Sequence, residues 1–291
     1  MNHSHNFATP RLRGGLASTF FAALALVAAV SLTAAPAHAG EVLDQIREEG
    51  VLKVATDSNW APQSFLNENN ELDGFDVDIA KEIAVRMGVD IEFVTPDWTL
   101  ITAGNWGGRW DLSVGSMTPT KERGRVLDFP VVYHYASVGV AVHNDSDAQT
   151  LADLEGRRVA ACTSCTGELY LNKELSIDAP GVAEVEYPFT AGEIVSMEQP
   201  AAMFDDLRLG DGVRLDAVVD SLASMREVVN RGYPIRIIGV AFNEPLALAI
   251  DKGDAEFGAA LAEVVAAMHA DGTISALSRE WYGEDYSQPL Q

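Results

Sequence analysis

Cysteine and positive charge are both scarce in this 291-residue chain. It has two cysteines, and 20 lysines and arginines stand against 43 aspartates and glutamates, giving a formal net charge of −23. So acidic a chain argues against nucleic acid or an anionic membrane as a partner. It does not imply a cationic ligand, because a solvated acidic surface also keeps a protein soluble. We therefore interpret the charge as a property of the surface, not of a site.

Long apolar runs are also missing after residue 39, where no stretch is long enough to span a bilayer. Before that point, two arginines precede an Ala-rich apolar run at 16–34, and an A-x-A sequence ends at Ala39. This order is typical of a secretory signal peptide, so we expect residues 1–39 to be cleaved and the rest to be exported to the periplasm. An uncleaved membrane anchor is the alternative. The A-x-A ending and the lack of a charged stop-transfer flank disfavour it.

The chain does contain alternating strand and helix patterns. Its length suffices for a large core and two domains. The alternation predicts an α/β fold with mostly parallel sheets and helices on both faces. A second α/β pattern begins after a strand at 138–142, and its predicted strands are 158–161, 182–187, 215–219, 235–240 and 246–250.

The most informative stretch runs from Asp111 to Pro130. A strand pattern breaks at Gly115 into residues that include Ser116 and Thr118, and Arg123 follows in a charged run. A strand that ends this way and turns toward a helix presents N–H groups, hydroxyls and a guanidinium, which together suit an anion such as a carboxylate. The alternative is an ordinary strand–turn–helix with a surface arginine.

A second loop supports a site at the same place. Residues 57–60 follow the strand pattern at 51–56, as residues 115–118 follow the strand before them. Ligands of parallel α/β sheets bind beyond the carboxyl ends of the strands, so we expect both loops on one rim of the sheet.

Several motifs follow one another in a characteristic order along the chain. They are WAP at 60–62, LDGFDVDIA at 72–80, WDL at 110–112, GSMTPTKER at 115–123, LDF at 127–129, LEGRRV at 154–159, MHADGT at 268–273 and WYG at 281–283. In this order and spacing they resemble the polar amino-acid class of periplasmic solute-binding proteins of ABC transporters, over residues 41–286.

The resemblance implies a two-lobed clamshell of the type II periplasmic-binding-protein fold. Lobe 1 would comprise residues 41–141 plus 245–291, and lobe 2 residues 142–244. Each lobe would be a mostly parallel sheet flanked by helices. Two hinge strands would cross near Val140 and Pro245, and the lobes would close over a ligand.

The implied function is that of a monomeric receptor, without cofactor or metal, that captures a polar amino acid or related small zwitterion and delivers it to an ABC permease. One alternative is a periplasmic lyase of the same fold, similar to cyclohexadienyl dehydratase. It would need a general acid or base, for which Glu168, Glu193 and Asp220 are candidates. Another is a soluble ligand sensor.

The resemblance also implies roles for individual residues. Arg123 matches the arginine that forks onto the ligand carboxylate, with the hydroxyl of Thr118 and a backbone contact from Gly115 beside it. Thr166 meets the same carboxylate from lobe 2. The side-chain wall of the pocket would be formed by Asp57 and Trp60, with Trp98 as an aromatic neighbour; for both tryptophans, core packing is the alternative.

One departure concerns the ligand amine. The family holds the amine with an acid just after the strand matching 215–219. Here Asp220 comes one place early, and Ser221 stands in the usual position. Either the loop shifts by one residue or the amine is held otherwise.

The second departure is the pair Cys162 and Cys165, just before a helix predicted at 168–174. In an exported protein the two cysteines are expected to form one short disulfide. A redox site is the alternative, because a helix N-terminus lowers a thiol pKa, but no thioredoxin-like pattern surrounds the pair. Two thiols without a histidine cluster make a poor metal site.

Overall fold

A computed structural model describes residues 40–290 and shows a two-lobed α/β protein. The predicted fold class is confirmed. The predicted signal peptide and its cleavage site lie outside the described residues. Within residues 40–290, no helix combines the length and the apolar character that crossing a membrane requires.

The first half of the described chain alternates short strands with helices. Its elements are α1 (Glu41–Glu49), β1 (Val51–Ala55), β2 (Asn59–Trp60), β3 (Ser64–Leu66), β4 (Leu72–Asp73), α2 (Phe75–Met87), β5 (Asp90–Val94), α3 (Trp98–Thr102), β6 (Leu112–Met117), β7 (Leu127–Asp128) and β8 (Val132–His143).

The second half repeats the alternation and ends in two helices. Its elements are β9 (Arg158–Cys162), α4 (Thr166–Leu171), β10 (Glu193–Met197), α5 (Pro200–Leu207), β11 (Ala217–Ser221), α6 (Leu222–Asn230), β12 (Ile235–Asp251), α7 (Ala255–Ala270) and α8 (Thr273–Tyr282).

One large sheet carries both lobes, in the order β10-β9-β11-β8-β12-β6-β1-β5. Pairing is parallel within β6-β1-β5 at one end and within β10-β9-β11 at the other. The two long strands in the middle pair antiparallel with each other and with their neighbours. The β2-β3-β4 strands form a small separate sheet.

The hydrophobic core is divided between the two ends of this sheet. We call lobe 1 the part built on the core that contains Leu52, Ile79 and Leu261, and lobe 2 the part built on the cores that contain Val159 and Met203.

Strands β8 and β12 join the two lobes. β8 places Tyr133 in the lobe 1 core and Val140 in a lobe 2 core, and β12 does the same with Leu248 and Phe242. They are therefore the two predicted crossover strands. The predicted lobe boundaries near 141 and 245 fall inside them and stay predictions.

A glycine at the start of α2 fixes the loop before it. Gly74 has φ +124°, and a Cβ there would lie 2.4 Å from the carbonyl oxygen of Gln63. The N–H of Asp76 donates to that same carbonyl at 2.8 Å. The missing side chain thus lets the loop carrying Gln63 lie against the helix, which brings Gln63 to the edge of the sheet.

One predicted strand is absent, and two others are continuous. Residues 182–187 form no strand; the ladder partner of β9 is β10, Glu193–Met197. Val185 and Tyr187 still pack on a lobe 2 core, so the alternating pattern reports burial without backbone pairing. The predicted strands 235–240 and 246–250 are a single strand, β12, whose register shifts at bulges.

Candidate functional site

A cavity lies between the lobes. Its lining includes every predicted ligand-binding residue except Asp57 and Gly115. The predicted residues that line it are Trp60, Trp98, Ser116, Thr118, Arg123, Thr166 and Asp220.

The stretch from Asp111 to Pro130 supplies much of the lobe 1 wall, though in a different form from that predicted. Strand β6 continues through Gly115 to Met117, and the only helical turn that follows is a 3₁₀ turn at Arg123–Arg125. The prediction of a break at Gly115 leading toward a helix is therefore wrong. The polar groups reach the cavity from the end of a strand.

Ser116 faces partly away from the cavity, into lobe 1. It has φ +47°, and its hydroxyl donates to Asp76 Oδ1 at 3.0 Å. The hydroxyl also lies 3.0 Å from Nε2 of His134, whose pKa burial lowers to about 3, so the ring is neutral. The N–H of Ser116 donates to the hydroxyl oxygen of Tyr133 at 2.8 Å.

This network encloses a carboxyl group. Asp76 is fully buried and accepts from the Tyr133 hydroxyl at 2.6 Å. Burial raises its pKa to about 7, and the hydrogen bonds from Tyr133 and Ser116 offset part of that rise. The lobe 1 wall is thus held by a buried hydrogen-bond network.

Arg123 is 5% exposed and connects the two lobes. Its Nη1 donates to the carbonyl of Thr118 at 3.0 Å, and its Nη2 donates to the carbonyl of Ser164, in lobe 2, at 2.7 Å. The guanidinium lies 5.4 Å from the centre of the Trp98 ring. Burial lowers its pKa to about 10, which leaves it charged. Five N–H groups of a guanidinium can donate, so the bonds made within the described chain leave donors for a ligand.

A disulfide-bridged turn forms the lobe 2 wall. Cys162 and Cys165 are joined, and the Ser164 between them has φ +60°. The Ser164 carbonyl also accepts from Trp98 Nε1 at 3.3 Å. Helix α4 begins at Thr166, two residues earlier than predicted, which puts Thr166 at its first turn and in the cavity lining.

Asp220 and Ser221 are the last residues of β11, not residues that follow it. Both line the cavity. The Ser221 hydroxyl accepts from Gln63 Nε2 at 2.8 Å, whereas Asp220 Oδ2 is buried and has no hydrogen-bond partner in the described part of the chain. The indole of Trp60 lies near Asp220 without meeting hydrogen-bond geometry.

The pKa of Asp220 rises to about 7. Burial is the main cause; the backbone N–H of Ser221 and the nearby indole of Trp60 counteract it, and the negative charge of Glu244 adds to it.

Glu244, on β12, is a cavity residue that the sequence did not reveal. It is 8% exposed and accepts from the Thr118 hydroxyl at 2.6 Å. Burial raises its pKa, and Thr118, Thr166 and the charge of Arg123 limit that rise. Because 235–240 and 246–250 were predicted as separate strands, Glu244 fell in the connection between them.

Gln63 is the second cavity residue missed by sequence reasoning. Besides donating to Ser221, it accepts from the Ser224 hydroxyl at 3.3 Å, so it links lobe 1 to two residues of lobe 2. Its neutral side chain, within a turn-rich loop, carried no signal.

Asp57 and Gly115 lie outside the lining. Asp57 accepts from the N–H of Asn59 at 2.7 Å and shapes the loop that carries Trp60. Burial raises its pKa. At Gly115 a Cβ would lie 3.4 Å from the ring of Trp98, so the glycine makes room for that ring.

Of the three acids considered for catalysis, only Asp220 lines the cavity. Glu168 accepts from the N–H of Ser164 at 2.6 Å and so belongs to the disulfide-bridged turn. Glu193 is exposed and pairs with Arg158 at 3.3 Å. Within residues 40–290, no group of three or more His, Cys, Asp or Glu side chains is placed to hold a metal ion.

Known proteins resemble this chain over most of its length. The model of a family described as bacterial extracellular solute-binding proteins, family 3, matches residues 52–284. The L-cystine-binding protein TcyJ of Escherichia coli (strain K12) is 28% identical over 271 residues, which cover 91% of this chain and 94% of TcyJ.

Solved structures show the same fold. A mutant of ArgBP from T. maritima superposes with a TM-score of 0.72 at 29% identity, covering 84% of this chain and all of that one (100%). The ancestral amino acid-binding protein AncCDT-1, a precursor of cyclohexadienyl dehydratase, gives a TM-score of 0.70 at 30% identity, covering 82% of this chain and 99% of its own.

Proposed function

Because the chain belongs to the bacterial extracellular solute-binding proteins of family 3, we propose that it is a receptor that captures a polar amino acid between its lobes and delivers it to an ABC permease. The observation that carries the proposal is the pairing of a buried arginine with a buried acid in one cavity. Arg123 is charged and has N–H donors that the described chain does not use, and Asp220 Oδ2 has no hydrogen-bond partner in residues 40–290. An α-amino acid supplies the complement of both.

In this proposal each wall has a part. Arg123 forks onto the ligand carboxylate with the hydroxyl of Thr118 beside it, and Thr166 approaches the carboxylate from lobe 2. Asp220 receives the ammonium, and its position in the cavity lining at the end of β11 supports this role.

Aromatic and structural residues complete the site. Trp60 and Trp98 form the apolar wall, and Ser116, Gly115 and Asp57 hold the loops that carry the contacts. The receptor works outside the cytoplasm as a monomer, after cleavage at Ala39.

The proposal is tested by calorimetric titration of the twenty amino acids into the refolded, ligand-free protein. A ligand at 100 times its dissociation constant should raise the free energy of unfolding by about 2.7 kcal/mol.

Arg123→Ala should weaken binding of the best ligand on the order of 100-fold, since it removes a buried bidentate partner. Arg125→Ala is the matched control, because Arg125 lies exposed in the same 3₁₀ turn. Unchanged binding in Arg123→Ala would overturn the carboxylate assignment.

A lyase is the second candidate, and one observation favours it: Asp220, with a pKa near 7, is suited to proton transfer at neutral pH. The receptor proposal expects every bound ligand to be recovered unchanged after prolonged incubation with the protein. Product formation that disappears in Asp220→Asn would establish the lyase instead.

A further inference from the structure

The charges buried around the cavity do not balance. Arg123, Asp220 and Glu244 all line it and are 5%, 5% and 8% exposed. One guanidinium therefore faces two carboxyl groups. Burying a charge without a counter-charge is costly, so each acid either takes up a proton or is matched by a cation from the ligand.

The two acids are not equivalent. Glu244 contacts the Thr118 hydroxyl at 2.6 Å and lies near Arg123, whereas Asp220 Oδ2 has no hydrogen-bond partner anywhere in residues 40–290 although it is buried in the lining. Asp220 Oδ2 is thus available to accept from a ligand, whereas Glu244 already accepts from Thr118.

A neutral amino acid does not balance the charges of these three side chains. Its carboxylate pairs with Arg123, and its ammonium pairs with Asp220. The ligand carboxylate then competes with Glu244 for Arg123, so Glu244 is left as a buried carboxylate without a cation. A second positive charge on the ligand restores balance, with two cations facing two acids and one carboxylate facing the arginine.

We propose that the ligand is a basic amino acid, with a cationic side chain besides its α-ammonium group, and that Glu244 is the residue that selects for that second charge. The inference rests on the proposed function and adds the ligand class to it. Glu244 lies on β12, one of the two strands that join the lobes, so it lines the cavity from a position between the two walls.

Matched ligands separate charge from shape. Citrulline has nearly the shape of arginine with a neutral ureido group in place of the guanidinium, and norleucine is the neutral counterpart of lysine. In calorimetry at pH 7.5 the wild-type protein should bind arginine or lysine more tightly than its neutral counterpart, on the order of 100-fold. This ratio needs no variant, so it stands even if a substitution impairs folding.

The variant Glu244→Gln keeps an acceptor for Thr118 and removes only the charge. It should reduce the ratio to roughly tenfold or less while leaving citrulline binding unchanged or stronger. Glu186→Gln, which removes an exposed charge elsewhere in lobe 2, should leave the ratio as it is. Asp220→Asn should weaken arginine and citrulline by equal factors, because both carry the α-ammonium.

The outcomes separate the two proposals. Tight binding of neutral amino acids with arginine and lysine excluded overturns the basic-ligand inference and leaves the receptor intact. An equal loss for arginine and citrulline in Glu244→Gln overturns the role of Glu244. Failure of every amino acid to bind overturns the proposed function and the inference with it.

Discussion

The two walls of the cavity are held in shape by different means. On the lobe 1 wall, Ser116 is fixed by a buried network around Asp76, Tyr133 and His134. On the lobe 2 wall, Ser164 is fixed by the disulfide of Cys162 and Cys165 on either side of it.

The difference follows from what each wall is attached to. Lobe 1 can bury a polar network because β6, α2 and β8 converge on Asp76, whose Oδ1 accepts from both Ser116 and Tyr133. The lobe 2 turn is held by hydrogen bonds of Ser164 with Arg123, Trp98 and Glu168, and in addition by a covalent link that the lobe 1 wall lacks. A wall built on hydrogen bonds should respond to small chemical changes and to pH, and one built on a disulfide should respond to redox conditions.

The largest effect is expected from the lobe 1 wall. Tyr133→Phe removes a donor to Asp76 and an acceptor for the N–H of Ser116, leaving polar groups buried and unpaired. The free energy of unfolding, measured with urea, should fall by about 3 kcal/mol. Tyr187→Phe is the control, because its hydroxyl is partly exposed and makes a long 3.4 Å bond. Equal effects of the two variants would mean that the network does not hold the wall.

A smaller effect is expected from the lobe 2 wall. The disulfide closes a loop of only four residues, so replacing both cysteines with serine should cost about 2 kcal/mol in the chain-entropy model. Urea unfolding of the double variant should match that of the wild-type protein in reducing agent. Tyr133→Phe should show the same loss with and without reductant. If the double variant is as stable as the oxidised wild type, the turn is held by its other contacts.

A pH-dependent effect separates Asp220 from both walls. Its pKa of about 7 in the folded protein lies above the ordinary 3.8, so the folded state binds more protons between those values. The free energy of unfolding of the ligand-free protein should therefore rise as pH falls from 7 toward 4, and this contribution is lost as pH rises through 7. For one proton the slope is at most about 1.4 kcal/mol per pH unit.

Asp220→Asn should remove that component and keep the one from Asp76, whose pKa is raised in the same direction. The measurement is urea unfolding of both proteins at pH 5 and pH 8. Parallel pH profiles for the wild type and the variant would show that Asp220 ionises normally in the folded state.

Prediction from the sequence located residues of the cavity lining where the signal was local. The glycine, hydroxyl and arginine positions of 115–123 and the position of Thr166 lie on neighbouring segments of chain, and all but Gly115 reach the cavity lining. The short spacing of Cys162 and Cys165 indicated their disulfide, which the structure contains.

Prediction from the sequence failed where the contacting residues come from distant segments of the chain. Glu244 meets Thr118 across 126 positions, and Gln63 meets Ser221 across 158. The alternation at 182–187 looks like a strand, yet β10 holds the place beside β9. Period-2 patterns report which side chains are buried, not which backbone they pair with.

The sequence by itself determined the family and the order of the α/β elements and pointed to Arg123, because these depend on short motifs and on their order along the chain. Only the tertiary structure decided the balance of charge around that arginine. Burial and pairing of Asp220 and Glu244 depend on β11 and β12 meeting the lobe 1 wall, and the ionisation of a carboxyl group is governed by what surrounds it in space.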